Sequence, residues 1–438
     1  MKPKLLLTIT ILLSLAVSGC DGGRENPPDV FVSFIHAAPS QGPITFRREQ
    51  AIEASLDYKQ SVTRTFDIDV YNFHFDISIA GAAAERLVSF THELVAGTNY
   101  TIVATEVGGQ LQQLILEAPS TEPDSTNAQV ALLHVAPTLG AVDVFLEAPG
   151  SDLSLVLPLG TISFGEDLAP RTIDAGDYEF TLTQAANPSA VLLRSVSFPL
   201  SADQSALFAI IDGAEQGIAL VAVIVTGSTN FSFVDRDLLS QIRVINTISD
   251  RSSLDVGIDN DFSLFPGLTF GTISGYADIA PGTHDLTASP VGNPGVPEVD
   301  FPFAVEAGRF GTFFIANDPG ATSTSFSIDD YRPIVGEITV NLYNAAQLFQ
   351  FVDVFIAPVG TDLNTIFPTA SLLPGASLPG LAIAPGDFEL TIRDGGTVTV
   401  LTGPTSMTLI EGGFYGILIT DSLSDPSNVD LTLFDDFP

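Results

Sequence analysis

The chain has no tryptophan, one cysteine, and 16 lysine and arginine residues against 52 aspartate and glutamate residues. With one cysteine it can form no internal disulfide, so its stability must come from hydrophobic cores, which domains of about 100 residues can supply. The net charge of −36 repels nucleic-acid phosphates, so we expect no nucleic-acid partner. Beyond the N-terminus no apolar run is long enough to cross a membrane, since Ile218 to Val225 has the length of a buried strand.

Recognised enzyme signatures are also missing. The histidines, His36, His74, His92, His134 and His284, are dispersed without the spacing of zinc ligands. The sequence has no Gly-x-Ser-x-Gly elbow, phosphate-binding loop or dinucleotide fingerprint. Paired carboxylates are frequent, but in so acidic a chain a pair carries little information. The sequence therefore predicts no enzymatic activity, and a carboxylate-based envelope hydrolase stays an alternative.

The N-terminus is typical of an export signal. Lys2 and Lys4 precede an apolar run from Leu5 to Val17, too short for a membrane helix, and the run ends at Val-Ser-Gly-Cys20. This ending resembles a bacterial lipobox, in which the cysteine becomes acylated. We predict a lipoprotein signal peptide at 1–19 and a lipidated tether at 20–28, with membrane lipid as the partner of Cys20. An ordinary signal peptide is the alternative.

One pattern recurs four times at a period of about 100 residues, which indicates a tandem array. An apolar strand ends in His36, His134, Asn246 and Asn344 in turn. Nine residues later stand Thr45, Asp143, Asp255 and Asp353, the last three between two apolar residues. The first copy departs from the others because it has threonine in place of aspartate.

Short alternating strands separated by Gly, Pro, Asn and Asp predict an all-β fold of four tandem immunoglobulin-like antiparallel β-sandwiches, each with about seven strands. Glycines recur at fixed places in two turns, which suits positive φ. A short polar segment, Gln50 to Tyr58, could form a turn or two of helix. The predicted limits are sandwich 1 at 29–117, a linker at 118–127, and sandwiches 2, 3 and 4 at 128–237, 238–336 and 337–438.

Strand alternation assigns faces to the recurring polar residues. His36, His134, Asn246 and Asn344 point inward, where an unsatisfied polar group costs about 1–3 kcal/mol. We expect them to hold the following turn through backbone hydrogen bonds, and the alternative is a ligand contact at the end of the sandwich. Asp143, Asp255 and Asp353 point outward and are expected to pair with a neighbouring strand or loop; a metal or partner role is the alternative.

The excess of acids has two interpretations. The carboxylates here are scattered rather than clustered, which favours adaptation to a salty environment over the alternative of calcium binding or an acidic recognition surface. Asp255, Asp259 and Asp261 form one of the densest acidic loops, but it lacks the full EF-hand pattern. The sequence predicts no cofactor, with weak calcium binding at these three residues as an alternative.

The openings of the repeats are similar to a known family. Arg243-Val-Ile-Asn followed by Leu254-Asp-Val, and Leu133-His-Val-Ala-Pro followed by Val142-Asp-Val-Phe, with the later turn Ala-Gly-Asp-Tyr178, resemble the secreted bacterial domain of unknown function four-three-nine-seven. The resemblance covers sandwiches 2 to 4 and, in sandwich 1, its opening and its Val-Ala-Gly97 turn. It implies an exported β-sandwich, commonly in tandem, and supplies no catalytic residues.

Together these features predict a lipid-anchored, non-catalytic binding or surface-interaction protein of the bacterial cell envelope, at the outer membrane or cell surface rather than the inner membrane. Its partner would be a protein or a glycan. A periplasmic spacer or scaffold is the alternative.

Overall fold

A computed structural model describes residues 30–78, 84–121, 125–213, 218–224, 230–249, 253–318 and 321–436. The predicted signal peptide, Cys20 and the tether lie outside these residues. The regular secondary structure of the described residues is β-strand throughout, apart from one 3₁₀ turn at Leu153–Leu155. Alternating apolar residues and frequent turn residues account for this, because a period of two buries one face of each strand. The all-β sandwich fold is confirmed.

The strands fall into four units, and units 1 and 2 form what we call the N-terminal pair. Unit 1 contains β1 (Val30–Ala37), β2 (Ile44–Arg48), β3 (Ala51–Leu56), β4 (Ser61–Phe66), β5 (Val70–Ile77), β6 (Glu85–Glu93), β7 (Thr98–Val107) and β8 (Gln110–Pro119). Unit 2 contains β9 (Asn127–His134), β10 (Val142–Glu147), β11 (Gly160–Ile162), β12 (Asp167–Asp174), β13 (Gly176–Gln184), β14 (Asn187–Arg194), β15 (Phe198–Leu200), β16 (Ser205–Asp212), β17 (Ile218–Ile224) and β18 (Asn230–Phe233).

Units 3 and 4 form the C-terminal pair. Unit 3 contains β19 (Ser240–Thr247), β20 (Leu254–Ile258), β21 (Asp261–Leu268), β22 (Thr272–Ile273), β23 (Ala277–Ile279), β24 (Gly282–Pro290), β25 (Val299–Val305), β26 (Phe310–Asp318) and β27 (Ala321–Asp329). Unit 4 contains β28 (Ile338–Asn344), β29 (Val352–Pro358), β30 (Ala370–Leu372), β31 (Ser377–Ile383), β32 (Gly386–Asp394), β33 (Val400–Leu409), β34 (Phe414–Asp421) and β35 (Val429–Asp435).

Each unit is a sandwich of two sheets. The inner sheet contains the opening strand, in the orders β4-β1-β7-β8, β12-β9-β16-β17-β18, β22-β19-β26-β27 and β31-β28-β34-β35. The outer sheet faces it, in the orders β3-β2-β5-β6, β11-β10-β13-β14, β21-β20-β24-β25 and β30-β29-β32-β33. In every unit the opening strand runs parallel to one neighbour, β7, β16, β26 or β34, and all other pairings among the described strands are antiparallel.

Two expectations about local structure were wrong. The described part of each unit forms at least eight strands rather than about seven. The segment from Gln50 to Tyr58 is not helical, because it contains β3, whose Ala54 and Leu56 alternate into the core of unit 1. Positive φ occurs at Gly97, Gly308 and Gly412 in the second recurring turn.

The inner sheets bury both of their faces. In β1, Val32 and Phe34 enter the core of unit 1, whereas Ile35 and Ala37 pack against Leu133 and neighbouring side chains of unit 2. The same stacking joins units 3 and 4, where Ile245 and Phe314 meet Tyr343. Each pair is therefore four sheets thick, with the two inner sheets in contact.

The two pairs also contact each other. Arg332, in the connection between units 3 and 4, donates from Nη1 to the carbonyl oxygens of Pro39 and Gln41 in unit 1, at 3.0 and 2.6 Å. The Val335 amide donates to the Ser40 carbonyl oxygen at 2.8 Å. We call residues 38–42 the clamped turn. Through these contacts the connection between units 3 and 4 packs against the turn that follows the first strand of unit 1.

Candidate functional site

The recurring His/Asn position makes one arrangement of hydrogen bonds in all four units. The Nδ1 atoms of His36 and His134 accept from the amide two residues later, each at 3.3 Å. The Oδ1 atoms of Asn246 and Asn344 accept from the equivalent amide at 3.1 and 3.0 Å. The side chain thus holds the start of the turn that leaves the opening strand.

The donor ends of these side chains differ between the pairs. The Nε2 atoms of His36 and His134 lie 3.0 and 3.2 Å from the carbonyl oxygens of Gly42 and Gly140, within the following loop. In the C-terminal pair the shorter Asn246 and Asn344 donate instead to Leu268 and Leu372, which lie in the outer sheet. All of these hydrogen bonds are to backbone atoms, which is the geometry that a structural role requires.

Burial keeps the His36 imidazole neutral. Its pKa is lowered to about 4, mainly by desolvation and to a smaller extent by the Arg332 charge, while the hydrogen bond to Gly42 acts in the opposite direction. Desolvation also lowers the pKa of His134. Neutral rings suit this position, because Nδ1 must accept a hydrogen bond while Nε2 donates one.

The aspartate nine residues later bridges two neighbours of its strand. Asp143 accepts from Thr161 Oγ1 at 2.5 Å and from the Ala186 amide, in the turn after β13, at 2.7 Å. In unit 4, Asp353 makes the matching bonds with Ser371 and Gly396. Asp255 accepts from the amides of Gly267 and Gly292 at 2.9 and 3.2 Å.

Unit 1 has a much weaker version of this bridge. The Thr45 hydroxyl lies 3.4 Å from Ser55 Oγ. Although Asp143 and Asp353 point away from their cores, each is only 7% exposed. These aspartates therefore lie under the loops that they hold.

The structure does not gather the calcium candidates around one point. Asp255 bonds the two glycine amides, Asp259 accepts from the Asp285 amide and contacts His284 Nδ1 at 2.6 Å, and Asp261 accepts from the Ser263 amide and hydroxyl. Each carboxylate therefore bonds a different part of the backbone. Within the described ranges no group of three or more His, Cys, Asp or Glu side chains could hold a metal ion.

A buried polar cluster between units 3 and 4 was not predicted. Arg243 forms an ion pair with Asp436, and its side chain is 4% exposed and that of Asp436 0%. The Arg243 Nε atom donates to Thr312 Oγ1 at 2.8 Å, and that hydroxyl donates to Asp329 at 2.5 Å. Asn341 donates to the other Asp436 oxygen at 2.5 Å.

Aromatic rings enclose this cluster. The Arg243 guanidinium lies 5.0 Å from the centroid of the Tyr276 ring, and the Tyr276 hydroxyl donates to Asp329 at 3.0 Å. Burial raises the pKa values of Asp329 and Asp436, and the Arg243 charge opposes that rise. The sequence held one indication of this cluster: Arg243 stands among the apolar residues Ile242, Val244 and Ile245 in the middle of β19 and shares the non-core face with Ile245.

A cavity with a volume of about 710 Å³ lies where units 1, 2 and 3 meet. We call it the junction cleft. Unit 1 supplies a run of five residues at 57–61, unit 2 supplies Phe231 and Ser232, and unit 3 with its following connection supplies Arg309, Asp330 and Arg332. Its walls are far apart in sequence, so the pattern of single strands could not reveal it.

Arg332 joins the junction cleft to the recurring motif. Its guanidinium lies 5.2 Å from the centroid of the Tyr58 ring, and the His36 ring packs edge-on against Tyr58 at 5.9 Å. The same guanidinium bonds the clamped turn that follows His36. The contact between the two pairs therefore builds one wall of the cleft.

The fold and these contacts define a tandem array of β-sandwiches stacked in pairs. A family model described as Domain of unknown function (DUF4397) matches residues 30–145 and 240–355, which are more than half of the chain. The chain belongs to this family. A comparison with curated proteins gives no match. Among the described residues, no helix has the length and apolar character needed to span a bilayer.

The matched segments reveal a longer repeat than the sequence motif suggested. Each match covers one sandwich and the first two strands of the next, and the two matches start 210 residues apart. His36 and Asn246 are also 210 residues apart, as are His134 and Asn344. The stacked pair of units is therefore the larger repeat.

Proposed function

We propose that this chain is a lipid-anchored, non-catalytic ligand-binding protein of the bacterial cell envelope. The observation that carries the proposal is the junction cleft, whose volume of about 710 Å³ is within the range typical of small-molecule sites, roughly 300–1,000 Å³. Such sites occur preferentially between domains. The recurring His, Asn and Asp residues hydrogen-bond to neighbouring groups of the fold. The proposal therefore rests on the junction cleft and not on the recurring motif.

Filling the junction cleft tests the binding role. Ser232 is exposed on its wall, so Ser232→Trp should occupy the cleft without disturbing a core. We expect a panel of saccharides and small acids, screened by thermal shift, to contain a compound that stabilises the wild type but not this variant. Ser189→Trp, at an exposed position in β14, is the matched control and should retain binding. No such compound, or equal binding to Ser232→Trp, would contradict the assignment.

Replacing the predicted lipidation site tests the anchor separately. We expect Cys20→Ser to move the protein from the membrane to the soluble fraction, because multiple acyl chains are needed for firm attachment. Retention in the membrane fraction would contradict the anchor. Protease digestion of intact and lysed cells would then distinguish the cell surface from the periplasm.

A structural spacer is the second candidate, and the stacked inner sheets favour it because they fix the units within each pair. The return of the second pair to the clamped turn argues against an extended rod. The two candidates differ in the Ser232→Trp experiment, because a spacer has no ligand to lose.

A further inference from the structure

The opening strands of the N-terminal pair begin at the same end of the pair. A small cavity between the two inner sheets is lined by Phe31 of β1 and Gln129 of β9, which both lie near the start of their strand. At the opposite end Thr105, which pairs with Ala37 at the end of β1, donates to the carbonyl oxygen of Val135, just after β9, at 3.2 Å. We call the end at which β1 and β9 begin the entry end, because the chain enters unit 1 there.

A long loop of unit 2, residues 148–159, lies at the entry end. β12 ends beside the start of β9, where Asp174 pairs with Asn127. β13 follows β12 directly, and its Glu179 pairs with Glu147, the last residue of β10. The loop that follows β10 is therefore placed beside the start of β9.

This loop holds its own backbone and exposes apolar side chains. The Asp152 carboxylate accepts from the Ser154 amide at 2.9 Å, and the Asp152 carbonyl oxygen accepts from the Leu155 amide at 3.0 Å. The side chains of Leu155 and Leu157 take no part in these bonds, and the two residues are 82% and 87% exposed. Pro158 follows and has no N–H group that would need a partner away from water. The loop is therefore suited to inserting its tip into an apolar surface.

Other exposed apolar residues lie at the same end. Ten large hydrophobic residues are exposed in the described part of units 1 and 2, and strand pairing places seven of them at or beside the entry end: Phe31, Ile52, Val70, Val95, Leu155, Leu157 and Val196. The other three, Leu87, Phe164 and Val191, lie elsewhere. Single exposed apolar residues are ordinary, whereas their concentration on one surface is typical of an interaction site.

The predicted anchor indicates what covers the entry end. Val30 begins β1 at this end, ten residues after Cys20. Ten residues span at most about 36 Å, so a lipid on Cys20 would hold the entry end near a membrane surface. The clamped turn, which contacts the C-terminal pair, lies at the opposite end of β1. The entry end is therefore the end of the N-terminal pair that would face the lipid.

Carboxylates at the entry end determine which lipid surface fits. Asp67 and Asp69 closely follow Phe66, which pairs with Val30, and Asp152 lies in the loop itself. Anionic headgroups repel these groups, and carboxylates do not enter the hydrocarbon readily. The surface is therefore suited to a shallow contact with headgroups that carry no net charge.

We propose that the entry end of the N-terminal pair binds the surface of a zwitterionic bilayer, with Leu155 and Leu157 inserted among the lipid headgroups. Insertion to this depth buries apolar side chains while the sandwich stays in water. Two leucines bind weakly by themselves, but a lipid on Cys20 raises their effective concentration at the membrane. This inference rests on the predicted anchor and is independent of ligand binding in the junction cleft.

Tryptophan fluorescence tests the contact, because the chain has no tryptophan of its own. Leu157→Trp places a single tryptophan at the tip of the loop. The full-length protein is purified in detergent and reconstituted into phosphatidylcholine vesicles with brominated acyl chains, which quench nearby tryptophan. We expect at least about twofold quenching, because an inserted side chain lies within about 5–10 Å of the acyl boundary.

Two variants are matched controls, and we expect neither to be quenched. Phe367, 93% exposed, is 210 residues after Leu157, and its loop has the equivalent bond from the Asn364 amide to Asp362 at 3.0 Å. Phe367→Trp therefore tests the same loop in the C-terminal pair, whose contacts are with the clamped turn. Phe164→Trp lies in the turn beside the end of β9, at the opposite end of unit 2 from the loop.

Flotation of the vesicles separates the anchor from the contact. If the wild type does not float with the vesicles, the predicted anchor is wrong and this inference fails with it. If every variant floats and Leu157→Trp is not quenched, the anchor stands and the contact is wrong. Equal quenching of all three variants would contradict the assignment of the entry end.

The lipid composition tests the choice of surface. Replacing about half of the phosphatidylcholine with phosphatidylglycerol should reduce the quenching of Leu157→Trp, because the acidic entry end is repelled. We expect 0.5 M NaCl to restore the quenching, because it shortens the screening length. Stronger quenching on the anionic vesicles would overturn the assignment of a zwitterionic surface.

Discussion

The N-terminal and C-terminal pairs stack their sandwiches in the same way but fill the contact differently. In the N-terminal pair the contact is apolar at its centre, with Ile35, Val103 and Leu133 buried together. In the C-terminal pair the equivalent Ile245, Phe314 and Tyr343 are joined by a buried ion pair and its hydrogen bonds.

The difference follows from substitution at matching positions. Three residues before the recurring His/Asn, unit 1 has Ser33 and unit 3 has Arg243; at the same place unit 2 has Ala131 and unit 4 has Asn341. An apolar contact is non-directional and loses stability in small steps, whereas a buried charge needs its partner. We therefore expect substitutions at the apolar contact of the N-terminal pair to cost less stability than the loss of one charged partner in the C-terminal pair.

The largest effect should come from removing one partner of the buried ion pair. Asp436→Ala leaves the Arg243 guanidinium buried without its counter-charge, and we expect a loss of roughly 3–5 kcal/mol in unfolding free energy. Denaturant-dependent hydrogen exchange would assign the loss to the C-terminal pair.

Two controls distinguish the effect of leaving Arg243 unpaired from the effect of removing a carboxylate from this part of the chain. Asp430→Ala removes a carboxylate from an exposed position of β35, the strand that ends just before Asp436, and should cost less than about 0.5 kcal/mol. Replacing both partners, Arg243→Met with Asp436→Leu, should recover most of the loss. A double variant as unstable as Asp436→Ala would contradict the unpaired-charge explanation.

At the apolar contact the loss should instead follow the volume removed. Ile35→Val should cost about 1 kcal/mol and Ile35→Ala about 3 kcal/mol. The same exchange method would record both losses in the N-terminal pair. Equal costs for the two variants would show that Ile35 does not fill a packed contact.

Acid should act on the N-terminal pair through His36. Its pKa is about 4 when folded and 6.5 ordinarily, so between these values the unfolded chain binds a proton that the folded chain does not. This contribution is complete above about pH 6.5, and about 3 kcal/mol is lost as the pH falls toward 4. Asn246 and Asn344 do not titrate.

His36→Asn is the test of this acid sensitivity. Thermal unfolding of the variant should show a smaller dependence on pH between 6.5 and 4 than that of the wild type. Since the change also alters a hydrogen bond, each protein is compared with its own value at pH 8. An unchanged pH dependence would assign the acid sensitivity to other groups.

The smallest effect should be the same in both pairs. Asp143→Ala and Asp353→Ala each release one amide and one hydroxyl, and we expect a loss of about 2 kcal/mol for either. Chemical denaturation measures both. A loss confined to one pair would show that the two bridges are not equivalent.

Local patterns predicted the sandwich fold because a strand's alternation is set by its own residues. The opening strands already indicated more than one buried face. The sequence of β1 is apolar apart from Ser33 and His36, and a largely apolar strand is typical of one covered on both sides; in the structure only Phe31 of this strand is exposed. The stacking of units 1 and 2 could not be predicted from the linker between Ala118 and Asn127. Its Pro and Ser residues indicate a connection without regular structure, and they carry no information about the surfaces of the two units that it joins.

The junction cleft could not be predicted from the sequence. Lys59, Ser232 and Arg309 each lie in an unremarkable polar segment, and only the packing of three units brings them to one cavity. The Arg332 contacts with the clamped turn span almost 300 residues, so no spacing in the sequence encodes them.

Hydrogen exchange at the clamped turn tests most directly whether the two pairs form one body and thereby build the cleft. In the wild type we expect slow exchange in peptides covering 38–42 and 330–337, because the Val335 amide is bonded to Ser40. Arg332→Ala should accelerate exchange in both peptides, whereas Arg171→Ala should change neither. Fast exchange in the wild type, or exchange at 38–42 that is insensitive to Arg332, would contradict this arrangement.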